Sequence, residues 1–264
     1  MTSLLTIIFF VFGSIIGSFL NVVILRYNTH KSLGGRSACM SCRKEIKSYD
    51  LIPVVSYCAL KGRCRHCQTK ISIQYPIVEV LSGLIFALLF LKFNYLFYTS
   101  TLEFSFTYAY YVAVFSLLLV IAVYDIKHKI IPDMLAIFFG VLAFVGLFLF
   151  DIYGFYPHLP YVYDIIAGLA MSAPFAFIWL ISKGRWMGLG DAKLAVGLGF
   201  LLGMSKVLSA VVLTFWSGAI IGIILMLVSK KYGIKSEIPF APFLMLGTFI
   251  AFIFEIQFFP VFGF

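Results

Sequence analysis

The sequence predicts an all-helical, multi-pass membrane protein of about eight transmembrane helices, with a cytoplasmic four-cysteine loop between the first two. Three observations carry that prediction: long apolar runs, the placement of the basic residues, and two C-x-x-C pairs confined to one polar stretch. The chain of 264 residues is 62% hydrophobic. Its mean hydropathy of +1.04 lies far above that of a soluble globular domain.

About 17–25 apolar residues suffice to cross a bilayer core. Runs near 3–25, 75–98, 107–124, 133–150, 161–182, 207–228 and 241–262 meet that length. A shorter stretch at 191–204, spaced by Gly197, Gly199 and Gly203, must also cross if the charges are to alternate, which makes eight. The chain thus divides into a first helix at 1–25, a polar loop at 26–74 and a helical membrane core at 75–264. The first run lacks a basic leading region and a small-residue cleavage site, so it is expected to be retained and not removed as a signal.

Charge placement tests the count. Arg26, Lys31, Arg36, Arg43, Lys44, Lys47, Lys61, Arg63, Arg65 and Lys70 crowd the first loop, opposed only by Glu45 and Asp50. Basic residues favour the cytoplasmic side, which puts this loop inside and the N-terminus outside. Alternate connections should then be basic. Lys127 and Lys129, then Lys183, Arg185 and Lys193, then Lys230, Lys231 and Lys235 keep that schedule. The opposite connections near 99–106 and 151–160 hold no Lys or Arg, and only Lys92 and Lys206 break the pattern. The net charge of +9 is therefore a topology signal, with contact to anionic lipid headgroups, and gives no indication of nucleic-acid binding.

Cys39, Cys42, Cys64 and Cys67 form a C-x2-C-x21-C-x2-C pattern in that loop. In a reducing compartment, pairs at this spacing are expected to be zinc thiolates, the other readings being reduced free thiols or a redox pair. Four thiolates leave no open position for water, so the zinc would be structural. His66, between two ligands, reads as a supporting or solvated residue. Cys58, in the apolar run Tyr57-Cys58-Ala59-Leu60, reads as buried.

Acidic residues number eleven, so their positions are informative. Asp125 ends the third span and Asp191 opens the sixth, both at the cytoplasmic boundary. An ionisable group at that depth reads as functional unless it is paired or capping. Two carboxylates sharing a site do not both ionise easily, so one keeps a proton while the other acts as base toward water. The glycines flanking Leu189 would admit close approach of backbone or substrate. The plainer alternatives are that Asp191 is a helix N-cap and that Asp125 pairs with Lys127 or Lys129. Asp133 also has helix-start character, and Asp164 and Glu255 fall toward the outer halves of their spans.

Several motifs occur in order: Gly17-Ser18-Phe19-Leu20-Asn21-Val22-Val23, the two cysteine pairs with Ile52-Pro53-Val54-Val55-Ser56-Tyr57 between them, and Tyr75-Pro76-Ile77-Val78-Glu79. Tyr124-Asp125, Ile131-Pro132-Asp133, Gly188-Leu189-Gly190-Asp191-Ala192-Lys193-Leu194 and Ile238-Pro239-Phe240-Ala241-Pro242-Phe243 follow. Over about residues 13–250 this series resembles the type IV prepilin peptidases, bifunctional leader peptidases and N-methyltransferases of the G-x-G-D membrane aspartyl protease group. The resemblance implies a multi-pass protein of the bacterial cytoplasmic membrane with Asp125 and Asp191 as the catalytic pair. Its substrates would be type IV prepilin or pseudopilin precursors, and S-adenosylmethionine would donate a methyl group to the new N-terminus. It associates the zinc loop with methyl transfer and places Gly62 at a position tied to that activity. Pro53, Ser56 and Glu79 match other family positions and join Gly62 as candidate donor-binding residues without individual roles.

No G-x-G-x-x-G strand–helix unit is present, which argues against a soluble dinucleotide-type methyltransferase. A donor pocket must instead form between the loop and the helix ends. The chain departs from the family at Trp186, Ala241 and Gln74, and in the proline-free Cys39-Met40-Ser41-Cys42; none touches the two aspartates. Two other functions fit parts of the chain: a transporter or channel-like protein regulated by the zinc loop, or a leader peptidase without methyl transfer. The sequence leaves the oligomeric state and the native precursor open.

Overall fold

A computed structural model describes residues 2–29, 32, 34–151, 154–228 and 238–258. Among these, eight long helices occur where eight spans were expected: α1 (Thr2–Arg26), α2 (Gln74–Thr99), α3 (Thr101–His128), α4 (Asp133–Leu149), α5 (Val162–Ser182), α6 (Leu189–Leu202), α7 (Met204–Val228) and α8 (Ala241–Ile253). Five of them, α1, α2, α3, α5 and α7, are long and apolar enough to cross a membrane; α4 and α8 are shorter apolar helices. The 14 residues of α6 rise about 21 Å, short of a bilayer core of about 30 Å.

Two boundaries differ from the sequence expectation by more than four residues. The third helix starts at Thr101, not 107, so most of the expected 99–106 connection is helical. Ser100 caps it by accepting from the Glu103 amide at 3.5 Å, an S-x-x-E start signal that apolar-run counting passes over. The last helix stops at Ile253, where Glu255 turns to φ 52°, and residues 259–262 of the expected span lie outside the described residues. So do Lys31, Lys230, Lys231 and Lys235 of the charge pattern.

The chain forms two compact units, Met1–Tyr95 and Leu96–Phe264. In the first, α1 and α2 meet through small residues. A Cβ on Gly17 would lie 2.8 Å from the Glu79 Cα, and one on Gly13 would lie 2.6 Å from Phe86. The Ser82 hydroxyl donates to the Gly13 carbonyl at 2.7 Å, and the Asn21 amide donates to the Tyr75 carbonyl at 3.1 Å. Small residues of this kind let helix backbones approach closely where lipid supplies no hydrophobic drive.

In the second unit, α6 packs between α4 and α5, which accounts for its glycines. A Cβ on Gly197 would meet the Phe139 ring at 2.7 Å, and one on Gly199 would meet the Ala167 carbonyl oxygen at 2.3 Å. The core of this unit holds Phe139, Phe175, Leu198 and Phe115, all fully buried. Lys206, one of the two charges off schedule, is buried and ion-paired with Glu255. The other, Lys92, lies over the Phe93 ring, its Nζ 5.9 Å from the ring centroid.

Candidate functional site

In the second unit, Asp125 sits in the last turn of α3 and is buried. Its Oδ2 accepts from the backbone amide of Ala241 at 3.2 Å, and Phe240 supplies a second backbone donor. These are the free amides at the start of α8, where Pro242 brings no N–H of its own. A helix N-terminus favours a negative group.

Asp191 is also buried, but it is not the N-cap of α6. Gly188 occupies that position, and Asp191 lies in the first turn, accepting from the backbone amides of Gly188 and of Asp191 itself. The carboxylate thus helps to cap its own helix while lying within electrostatic reach of Asp125. Gly190 allows this helix start to lie against Ile131, since a Cβ there would stand 3.1 Å from the Ile131 Cβ. Asp133 is engaged elsewhere, accepting from the Lys193 ammonium at 2.8 Å. Two carboxylates, each oriented by helix-start amides, are a constellation suited to activating a water.

The first unit brings the four cysteines together. The Sγ atoms of Cys39, Cys42, Cys64 and Cys67 lie within 4.8 Å of one another, with Cys39 and Cys67 at 3.7 Å. A tetrahedral zinc with Zn–S of about 2.3 Å needs sulfur–sulfur edges of about 3.8 Å, so the cluster fits that ion. Both pairs sit on the same backbone device. The Cys39 amide donates to the Lys44 carbonyl at 3.0 Å and the Arg43 amide to the Cys39 carbonyl at 2.9 Å. The equivalent bonds, Cys64 to Thr69 and Gln68 to Cys64, measure 2.9 and 3.0 Å. Single bridges Ala38–Glu45 and Arg63–Lys70 close the two turns, and Arg43 and Gln68 both take φ 56°. The Thr69 hydroxyl, 3.3 Å away, and its backbone amide push the Cys67 thiol down to about 6, toward the thiolate a metal requires. The backbone amides of Cys42 and Ser41 lower the Cys39 thiol in the same direction, whereas Cys42, against the donation of the Lys44 amide, is pushed up to about 11 by burial and by the Cys67 and Cys39 sulfurs.

Around this cluster the remaining candidates take separate positions. The Glu79 carboxylate is buried and accepts from the Val54 amide at 2.7 Å, with the Ser18 hydroxyl as a further donor. Pro53 therefore adjoins Glu79, while the Ser56 hydroxyl donates to the Ile52 carbonyl at 2.7 Å. Gly62 has φ +66°, and a Cβ there would meet the Tyr57 hydroxyl at 2.9 Å. The Arg65 guanidinium grips Asp50 at 2.7 and 3.0 Å and holds its carboxyl below the usual carboxylate range. His66 is exposed. Cys58 is exposed too, contrary to the reading of its apolar run. The single helical turn Val55–Ala59 keeps Tyr57 on Gly62 and turns Val55, Cys58 and Ala59 outward together. A cleft of about 230 Å³ lies between Ser18, Val22 and Arg26 of α1 and Ser37 and Leu51 of the loop.

Sequence reasoning passed over the Phe240 and Ala241 amides and over Val54. The Pro239-Phe240-Ala241-Pro242 motif was visible, but a backbone donor has no residue type by which to be recognised.

Comparison with known proteins follows the same division. Residues 11–93 match the bacterial peptidase A24 N-terminal domain, and residues 112–223 match the type IV leader peptidase family. A prepilin leader peptidase/N-methyltransferase of Myxococcus xanthus is 31% identical over 246 residues, covering 89% of this chain and 67% of the relative. Proteins of the same description from Bacillus subtilis and Aeromonas salmonicida are 29% and 31% identical, covering 94% and 92% of this chain and 93% and 88% of the relatives. No solved structure matches the chain. With matched domains over both units and relatives aligned along most of their length, the chain belongs to the type IV leader peptidase family.

Proposed function

We propose that this protein removes the basic leader from type IV prepilin-like precursors at the cytoplasmic membrane face and then methylates the new N-terminal residue with S-adenosylmethionine. The observation that carries the cleavage reading is the buried Asp125–Asp191 pair, each carboxylate held by helix-start amides. One carboxylate takes a proton from water as it attacks the scissile carbonyl. The other, protonated, supports the developing oxyanion, and the departing amine regains a proton. The amides of Phe240 and Ala241 keep Asp125 in place through the step.

S-adenosylmethionine supplies an electrophilic methyl group when bound. Cys39, Cys42, Cys64 and Cys67 would hold one structural zinc that fixes the fold of the 26–74 loop, and the donor would lie between that loop and the helix ends. Gly62, Pro53, Ser56 and Glu79 serve that second activity, while 75–264 forms the peptidase core. Eight helical segments pass through the membrane, the short α6 only together with its flanking residues, with the N-terminus outside and the loop in the cytoplasm, a reading supported by the alternation of basic connections.

The test is a purified precursor incubated with enzyme and labelled S-adenosylmethionine. Cleaved, labelled product is expected. Asp125→Asn or Asp191→Asn should lower cleavage by about 10²-fold or more, while methylation of an already cleaved substrate continues. Full cleavage by either variant would remove the pair from the mechanism. A cleaved product without label from the wild-type enzyme would leave a peptidase only.

A further inference from the structure

The segment between the two cysteine pairs contains a backbone conformation that its residue should avoid. Val54 has φ 62° and ψ −50°, and the Val55 amide donates to the Pro53 carbonyl at 2.5 Å. Together these make a γ-turn of the φ-positive kind, which is rare and strained. For a β-branched residue a positive φ is an outlier in its own right, and such strain persists only where the surroundings enforce it. Backbone bonds from Ser56 to Ile52 and from Cys58 to Val54 bracket the turn, and the side chain that holds its central amide is Glu79. Its buried carboxylate, fixed on α2 where Gly17 brings α1 close, takes the Val54 amide at 2.7 Å.

The turn leads in two directions. Ahead of it lies Leu51, which with Ser18 lines the cleft between α1 and the loop; Ser18 is also the second donor to Glu79. Behind it starts the helical turn that carries Tyr57. The Tyr57 carbonyl accepts from the Gly62 amide at 2.9 Å, and its ring lies where a Gly62 side chain would be. One carboxylate therefore governs both the cleft wall and the Tyr57–Gly62 contact.

We propose that Glu79 is a positioning residue for methyl transfer, clamping the Pro53–Val55 γ-turn in the shape that binds the methyl donor. This rests on the bifunctional reading above. Glu79 itself does not touch the donor, because its carboxylate is occupied by Val54 and Ser18. Without the clamp, strain at Val54 makes the turn a minority conformer by about ten- to hundredfold. The apparent donor affinity falls by that same fraction, while the rate at saturating donor is retained.

The experiment measures S-adenosylmethionine binding by equilibrium dialysis on the full-length zinc-loaded protein, alongside cleavage and methylation rates. Glu79→Ala should weaken donor binding and raise its KM about tenfold or more, with cleavage and zinc content unchanged. Glu79→Gln, which still offers an oxygen to the Val54 amide, should stay near wild type. Adding Val54→Gly to Glu79→Ala should restore binding, because glycine takes a positive φ without strain. Val54→Pro, which removes the amide and forbids the φ, should lose binding with Glu79 intact, and decides the matter if Glu79→Ala does not accumulate. Unchanged donor binding in Glu79→Ala or Val54→Pro, or failure of glycine to rescue, overturns the clamp. A wild-type protein that binds no donor overturns the bifunctional reading, and the clamp with it.

Discussion

Thiols, carboxylates and backbone amides divide the chemistry of this protein between them. Four cysteines on two copies of one turn converge without any long element to hold them, because each copy is closed by its own backbone bonds. Metal analysis should therefore give about one zinc per chain, and Cys64→Ser should lose it. Chelation is expected to end methylation and spare cleavage; equal loss of both would make the zinc more than a loop staple. The Asp50–Arg65 pair ties the segment between the cysteine pairs to the second pair itself. Arg65 depresses the Asp50 pKa, so the pair stabilises the folded loop above the usual aspartate value of about 4 and loses that effect as pH falls through the lower folded value. Amide exchange across Ser48–Leu51 should be faster in Asp50→Asn than in wild type at pH 7, and the difference should close in acid. A difference that persists below both pKa values would mean that the charge is not what matters.

At the level of elements, α6 is constrained by close backbone approach to its neighbours. It is too short to behave as an ordinary span, and it delivers Asp191 only because glycines let it pass close to α4 and α5. The contact at Gly199 is with backbone, which has no rotamer by which to yield. Gly199→Ala should destabilise the protein by about 1–3 kcal/mol through overpacking and lower cleavage by moving Asp191. Gly140, on α4, has open space where a Cβ would go. Gly140→Ala should be neutral or stabilising by about 0.5–1 kcal/mol. Thermal melts of the two variants in detergent separate close packing from general helix propensity, and similar melting for both would refute the account of α6. Element boundaries were legible where an apolar run meets a strong stop. They were missed at Ser100, where the start signal is a side-chain-to-backbone bond, and at Ile253, where the apolar run continues past the helix.

For the molecule as a whole, the basic residues predict orientation. Reporter fusions or thiol labelling should find residues near 40–45 on the cytoplasmic side and residues near 156–158 outside; labelling of the first loop from outside would reverse the topology. Lys206, which seemed to oppose this pattern, is neutralised by Glu255 and buried, so it exerts little of the orienting influence of a solvated lysine. Removing Glu255 should be worse than replacing Lys206 by Met. The first change leaves a buried charge uncompensated, at a cost of up to about 3–5 kcal/mol, whereas the second removes it.

The sequence by itself determined the helical membrane class and the eight helical segments, and it singled out the four cysteines that cluster and the two aspartates that lie buried. Each of these rests on residue type and local spacing: runs of apolar side chains, thiols two residues apart, carboxylates where carboxylates are scarce. Only the tertiary structure decided what surrounds them. It put Asp191 inside the first turn of α6 and gave Asp125 the amides of a helix more than a hundred residues away. It turned Cys58 outward and placed Glu79 on the amide of a strained valine. Those outcomes depend on backbone donors and on close approach between distant segments, and neither is encoded in the identity of any single residue.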